Sequence, residues 1–148
     1  MSYKIYSDEY FMNEALKEAH KAGEEQEIPV GAVIVADKRI IARAHNMTQT
    51  LNDATAHAEM LAITAASNSF GAKYLNECTL YVTLEPCIMC ASASNWSQLG
   101  RIVYGANDPK AGFRRIIQDI LHPKTKIKSG ILEEECSRLL SEFFKDKR

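Results

Sequence analysis

The chain has 148 residues, 46% hydrophobic and 25% charged, with a net charge of −1. That is the balance of a soluble globular protein, and the length suits one domain, residues 1–148, which can bury about two-thirds of its unfolded surface without disulfide staples. No apolar run approaches a membrane span, and the opening MSYKIYSDEY lacks a secretory h-region, so a cytoplasmic protein with no membrane partner is expected.

Charge is unevenly spread. Residues 1–100 hold 7 Lys/Arg against 12 Asp/Glu, whereas residues 101–148 hold 11 against 7. The excess cations sit in FRR (Phe113–Arg115), KTKIK (Lys124–Lys128) and KDKR (Lys145–Arg148). Any one cluster reads as solvated surface; three within the last third of the chain point to an anionic partner.

In chain order, Met12, Ala15, Leu16, Ala19 and Ala22 recur at helical spacing, with Ser7 as N-cap and Gly23 as stop. Val30–Ala36 and Arg39–Ala44 flank Asp37-Lys38 as a β-hairpin. A second helix is expected over Ala56–Ser67, a strand over Thr79–Leu84, and a short helix after Pro86, a residue suited to a first helical turn. Arg101–Ala106 reads as another strand and Phe113–Leu121 as a helix. Leu132, Cys136, Leu139, Leu140 and Phe143 mark an amphipathic final helix. Strands alternating with helices predict a layered α/β domain.

The chemistry concentrates in two short stretches. TAHAEM (Thr55–Met60) places His57 two residues before Glu59, and EPCIMC (Glu85–Cys90) places Cys87 three before Cys90. Side chains at i and i+3 share a helix face, so both sulfurs can reach one ion, and a helix N-terminus favours thiolates. Two thiolates and one imidazole form a set that zinc favours. Structural zinc sites usually close with four Cys/His ligands, whereas catalytic ones keep three and leave the fourth place to water. No second Cys-x-x-Cys or His-x-x-x-His is present, so the count points to catalysis, with Glu59 free to carry protons. Cys78 and Cys136 read as inert core thiols. His45 is the one candidate fourth ligand. Alone, His-x-Glu is an ordinary surface or core pair and Cys-x-x-Cys a candidate redox motif; together, each opening a helix, they are specific.

These residues make the sequence recognisable. His-x-Glu followed by Pro-Cys-x-x-Cys resembles the cytidine/deoxycytidylate deaminase superfamily. EIPVGAVIV (Glu27–Val35), His45-Asn46, DATAHAEM (Asp53–Met60), LYVTLEPCIMC (Leu80–Cys90), GRIVYGANDPKAG (Gly100–Gly112) and GILEEECSRLLSEFF (Gly130–Phe144) are similar to the bacterial tRNA adenosine deaminases within it.

The resemblance implies a three-layer α/β/α cytidine-deaminase-like fold with a central sheet of about five strands. It implies one zinc per chain on His57, Cys87 and Cys90, with Glu59 as catalytic proton shuttle. By the same likeness Asn46 holds the purine ring, Pro29, Val30 and Ala58 belong to the base pocket, and Asp108 and Lys110 lie on a loop touching anticodon nucleotides. A homodimer acting on a tRNA anticodon loop, with wobble adenosine converted to inosine by zinc-activated water, is the implied function. A deaminase of a free nucleobase or nucleoside is the nearer alternative, and a non-catalytic zinc module binding RNA or protein the farther one. Two departures stand out. The run CASASNWSQLG differs from the family pattern, with Trp96 expected in dimer packing or, by preference, in a core-like place. The stretch His122–Ser129 is short, so its family contacts are not carried over.

Overall fold

A computed structural model describes residues 2–147; Arg148, the last residue of the C-terminal basic cluster, lies outside the described residues. A central sheet has the order β2-β1-β3-β4-β5. Strands β1 (Gly31–Ala36) and β2 (Arg39–His45) form the expected hairpin, and Asp37 and Lys38 both adopt positive φ, as a tight two-residue turn demands. Antiparallel to β1 lies β3 (Thr79–Leu84); β4 (Arg101–Ala106) and β5 (Lys126–Ser129) then add in parallel.

Four helices cover the sheet: α1 (Asp8–Glu24), α2 (Ala58–Phe70), α3 (Ile88–Trp96) and α4 (Glu133–Asp146). Alternate side chains of the strands divide between two cores, as the pleat requires. Ala32, Ile34, Leu80, Val82, Ile102 and Tyr104 pack with Ala58, Ala62, Ala66 and Ala91 of α2 and α3. Val33, Val35, Tyr81 and Val103 pack with Phe11, Met12, Ala15 and Leu16 of α1 and Cys136 of α4. The architecture is therefore the expected three-layer α/β/α sandwich. Both sheet faces are buried, which is why β1 and β3 read as near-continuous apolar runs.

The start of α1 is fixed twice. Ser7 Oγ accepts the Tyr10 N–H at 3.1 Å, and Asp8 takes two bonds from Arg101 at 2.8 and 2.7 Å, one from Tyr81 Oη at 2.8 Å and one from Lys128 Nζ at 3.1 Å. Asp8 thus ties the helix to β3, β4 and β5. The Arg101 guanidinium holds its carboxyl well below the usual carboxylate range.

Two expectations change, and the implied fifth strand, not placed from the sequence, finds its residues. Residues 113–121 form only one 3₁₀ turn, Phe113–Arg115, after which Ile116 is extended; adjacent β-branched Ile116 and Ile117 favour extended backbone over helix. The basic stretch at 126–129 supplies the fifth strand, an edge strand whose exposed lysines flank the half-buried Ile127. Trp96 is 82% exposed rather than core-like. α3 buries Cys90, Ala91 and Ser94, and Trp96 follows Ser94 by two residues, about 200° around the helix at roughly 100° per residue.

Candidate active site

Two helix starts converge at one end of the sheet. His57 is the N-cap residue of α2 and Cys87 that of α3, both in extended backbone, so each side chain stands at its helix mouth with Cys90 one turn into α3. His57 Nδ1 lies 3.6 Å from Cys87 Sγ and 3.6 Å from Cys90 Sγ, and all three donor atoms fall within 4.8 Å of one another. A tetrahedral zinc with Zn–S near 2.3 Å and Zn–N near 2.0–2.1 Å sets an N···S edge of about 3.6 Å. The donor set and its spacing therefore fit zinc, with one coordination place left over.

The protons of this trio are shared unequally. A hydrogen bond from Cys90 is the chief reason the Cys87 thiol is pushed down to about 4, while Cys90 is driven up as the group that keeps the proton. Its hydrogen bond to Cys87 likewise raises His57. Glu59, 4% exposed in the first turn of α2, is pushed up to about 7 by burial. A carboxyl poised there can both accept and return a proton near neutral pH.

The wall beside this trio is tightly keyed. Asn46 Oδ1 accepts the Ala58 N–H at 2.8 Å and Nδ2 donates to the Ile28 carbonyl at 3.2 Å. The Asn46 backbone N–H bonds to Val30 O, and Pro29, Val30 and Ala58 are all buried. Pro29, Val30, Asn46 and Ala58 are thus one connected unit at the start of α2. On the other side, Asp108 Oδ1 caps its own turn by accepting the Lys110 and Ala111 N–H groups, leaving the Lys110 ammonium exposed. His45 turns elsewhere, its Nε2 3.1 Å from Glu25 and its Nδ1 3.5 Å from Glu18, and it is not among the clustered donors. Cys78 and Cys136 are buried free thiols, pushed up by burial, Cys136 to about 12.

Of the buried carboxylates that carry no role in the sequence reading, two hold loops around the site. Glu27 accepts from Thr48 Oγ1, Gln49 N, Thr50 N and Thr50 Oγ1, pinning the loop that leads to His57. Glu85, immediately before Pro86-Cys87, accepts from the backbone of Asp108 and Arg114. The available signal was a charged residue inside or beside a hydrophobic run, in EIPVGAVIV and VTLEP.

The sequence profile of the cytidine and deoxycytidylate deaminase zinc-binding region matches residues 5–106, a span holding His57, Glu59, Cys87 and Cys90. The chain belongs to this deaminase family. Within it, the deaminase is 47% identical to the tRNA-specific adenosine deaminase of Bacillus subtilis (strain 168) over 95% of this chain and 91% of that one. A solved structure from studies of A-to-I editing by tRNA:A34 deaminases at the wobble position superposes with a TM-score of 0.83 at 46% identity, covering 88% of this chain and 99% of that one. A guanine deaminase structure from Bacillus subtilis reaches 41% identity and a TM-score of 0.65, over 68% of this chain and 65% of that one. The deaminase thus resembles the tRNA-acting proteins along nearly its whole length and the guanine deaminase over a shorter part.

Proposed function

We propose that this chain is a zinc-dependent hydrolase that deaminates adenosine to inosine at the wobble position of a tRNA anticodon loop. The observation that carries the reading is the three-donor set His57, Cys87 and Cys90 with the buried Glu59 carboxyl beside it, in a chain similar along its length to tRNA-specific adenosine deaminases. His57 Nδ1 and the two sulfurs hold one zinc per chain. Bound there, zinc acts as a Lewis acid that makes water a nucleophile at neutral pH.

The remaining work falls to the chain. Glu59 takes a proton from the attacking water as it adds to C6 of adenine and gives it to ring N1. It then carries the water's second proton to the departing amine, so that ammonia leaves and inosine remains. Burial serves this cycle, since a carboxyl near 7 releases its proton almost as readily as it takes one up. Asn46 fixes the start of α2, which carries His57 and Glu59, and offers its remaining amide hydrogen to the purine. Pro29, Val30 and Ala58 shape the apolar side of the base pocket, while Asp108 and Lys110 address the flanking nucleotides. Anticodon bases are already splayed, so extruding one costs less than from a duplex.

The chain acts as one domain and pairs as a homodimer in the cytoplasm. The exposed Trp96 supports the pairing, since aromatic residues are enriched where protein surfaces meet. No helix among the described residues is long and apolar enough to cross a membrane.

The likeness to a guanine deaminase keeps a free-base substrate as the second reading. Incubating the zinc-loaded protein with an anticodon stem-loop carrying A34, and separately with free bases and nucleosides, decides between them. Inosine in the stem-loop supports the proposal. An untouched stem-loop beside a consumed free base overturns the tRNA assignment and leaves the zinc chemistry standing.

A further inference from the structure

Glu85 closes a junction between the metal-bearing turn and the segment that follows β4. The residue is 5% exposed, and its backbone N–H bonds to the Ala106 carbonyl at 2.8 Å. Its carboxylate spreads across the loop beyond: Oε1 accepts the Asp108 N–H at 3.0 Å and Oε2 the Arg114 N–H at 2.9 Å. The next residue adds a third tie, since the Phe113 N–H donates to the Pro86 carbonyl at 2.9 Å, and Cys87 pairs with Gly112 in an isolated bridge. At Gly112 the packing leaves no room for a side chain, because a Cβ there would collide with the Glu85 carboxylate. Phe113 is buried against Tyr104, so the loop is anchored at both ends and in its middle.

The side chains this anchored loop presents are cationic. Lys110, Arg114 and Arg115 are exposed, and Asp108, the one acid among residues 107–115, spends an oxygen on its own turn. Arg114 lies over the Tyr104 ring, with its guanidinium carbon 5.6 Å from the ring centre. Glu85 sits two residues from Cys87, so one carboxylate fixes where three cations stand relative to the metal ligands.

From this geometry we infer that Glu85 is a positioning residue: it holds the cationic 107–115 loop in register with the metal centre so that Lys110, Arg114 and Arg115 grip the phosphates flanking the reacting nucleotide. The inference rests on the tRNA reading above. It separates two jobs. The His57/Cys87/Cys90 set and Glu59 perform the chemistry, whereas Glu85 governs how well RNA is held, without touching RNA or metal itself.

The test is Glu85→Gln in the zinc-loaded full-length protein. A glutamine keeps the size of the side chain but can accept only at its oxygen; its amide hydrogens then face a backbone N–H, and one of the two ties is lost. Zinc content should stay at the wild-type level and kcat on the A34 stem-loop within about threefold, while KM rises by about tenfold or more, the worth of a hydrogen bond to a charged group. The salt dependence of stem-loop binding should flatten, because fewer phosphate contacts release fewer counterions. Combining Glu85→Gln with Arg115→Ala should give less than the product of the separate KM effects, since both act on one grip. If Glu85→Gln proves too unstable to assay, Gly112→Ala displaces the same junction from the loop side and should give the same KM-only pattern.

An unchanged KM and salt slope overturns the inference. Zinc loss with a collapse of kcat also overturns it, marking Glu85 as a support of the metal turn alone. A wild-type enzyme that leaves the stem-loop unconverted sinks the tRNA reading and this inference together, whereas normal wild-type conversion with an indifferent Glu85→Gln sinks only the latter.

Discussion

Asn46 reaches across to the first residue of α2, its side-chain oxygen accepting the Ala58 N–H at 2.8 Å in a buried setting. Free N–H groups open every helix, and a side chain from twelve residues upstream satisfies this one. The start of α2, with His57 before it and Glu59 just inside, is thereby fixed to the segment at Ile28, which receives the other end of the same amide.

Asn46→Ala should therefore damage both stability and turnover. It leaves a buried N–H without a partner, a loss of about 1–3 kcal/mol. Denaturant melts should show a lower midpoint with an unchanged slope, and turnover should fall on every substrate accepted. A variant as stable as wild type would show that the Ala58 N–H finds another acceptor.

Glu59→Gln should keep zinc and fold yet lose activity by at least about 10²–10⁴-fold, the usual contribution of a general acid–base group. The amide fills the same buried space but cannot take up and deliver a proton. Single-turnover measurements on the stem-loop, with metal analysis of the same sample, check this. Near-normal turnover would reassign Glu59 to packing at the helix start.

Zinc binding to the metal-free protein should release protons and tighten as pH rises. Cys87 is already held as thiolate, but Cys90 keeps its proton and must lose it before it can ligate, and the upward shift of His57 makes its charged form a further competitor of the metal as pH falls. Titrating zinc in two buffers of different ionisation enthalpy counts the protons. Cys87→Ser should bind zinc far more weakly and lower the melting temperature; full zinc retention would remove this site.

Asp8 gives an acid-side signature. Its carboxyl is held below the ordinary value of about 4, so the unfolded chain takes up a proton there before the folded one. Its contribution is complete above about pH 4 and declines as pH falls below it. Asp8→Asn should cost about 1–3 kcal/mol at neutral pH, discounted at the exposed Lys128 end, and should flatten the acid limb of the stability profile. Melts from pH 7 down to pH 3 test both effects.

Trp96 is the chain's only tryptophan and stands 82% exposed in the isolated protomer. If pairing covers it, dilution through the dissociation range should shift its fluorescence to the red, and Trp96→Glu should sediment as a monomer. Emission and sedimentation independent of concentration would place the interface elsewhere.

Much of this was legible in the sequence because its signals are local. Helix periodicity, the Asp37-Lys38 turn and the apolar strands placed eight elements, and the ligand trio followed from residue type and spacing alone. The fifth strand was not legible as a strand, since Lys-Ile-Lys-Ser gains its pairing from β4 rather than from its own apolarity. That placement also separates the basic clusters. Lys126 pairs opposite Arg101 at the start of β4, a strand of six residues and so about 20 Å long, away from the metal end, whereas Lys110 follows the strand's far end. Glu85 was missed because its partners are backbone N–H groups, and Glu27 because backbone N–H groups and threonine hydroxyls more than twenty residues away hold it, which no motif reveals.

The strand order has a consequence for the chain as it leaves the ribosome. The three metal ligands and Glu59 all precede residue 107, whereas β5 and α4 come last and add to one edge and one face of a sheet already laid down. Until α4 arrives, the apolar face around Val103 lacks its Ile131 and Cys136 cover. A nascent chain thus carries its catalytic ligands early and a sticky flank late, so interrupted synthesis yields a species built to hold zinc but prone to aggregate.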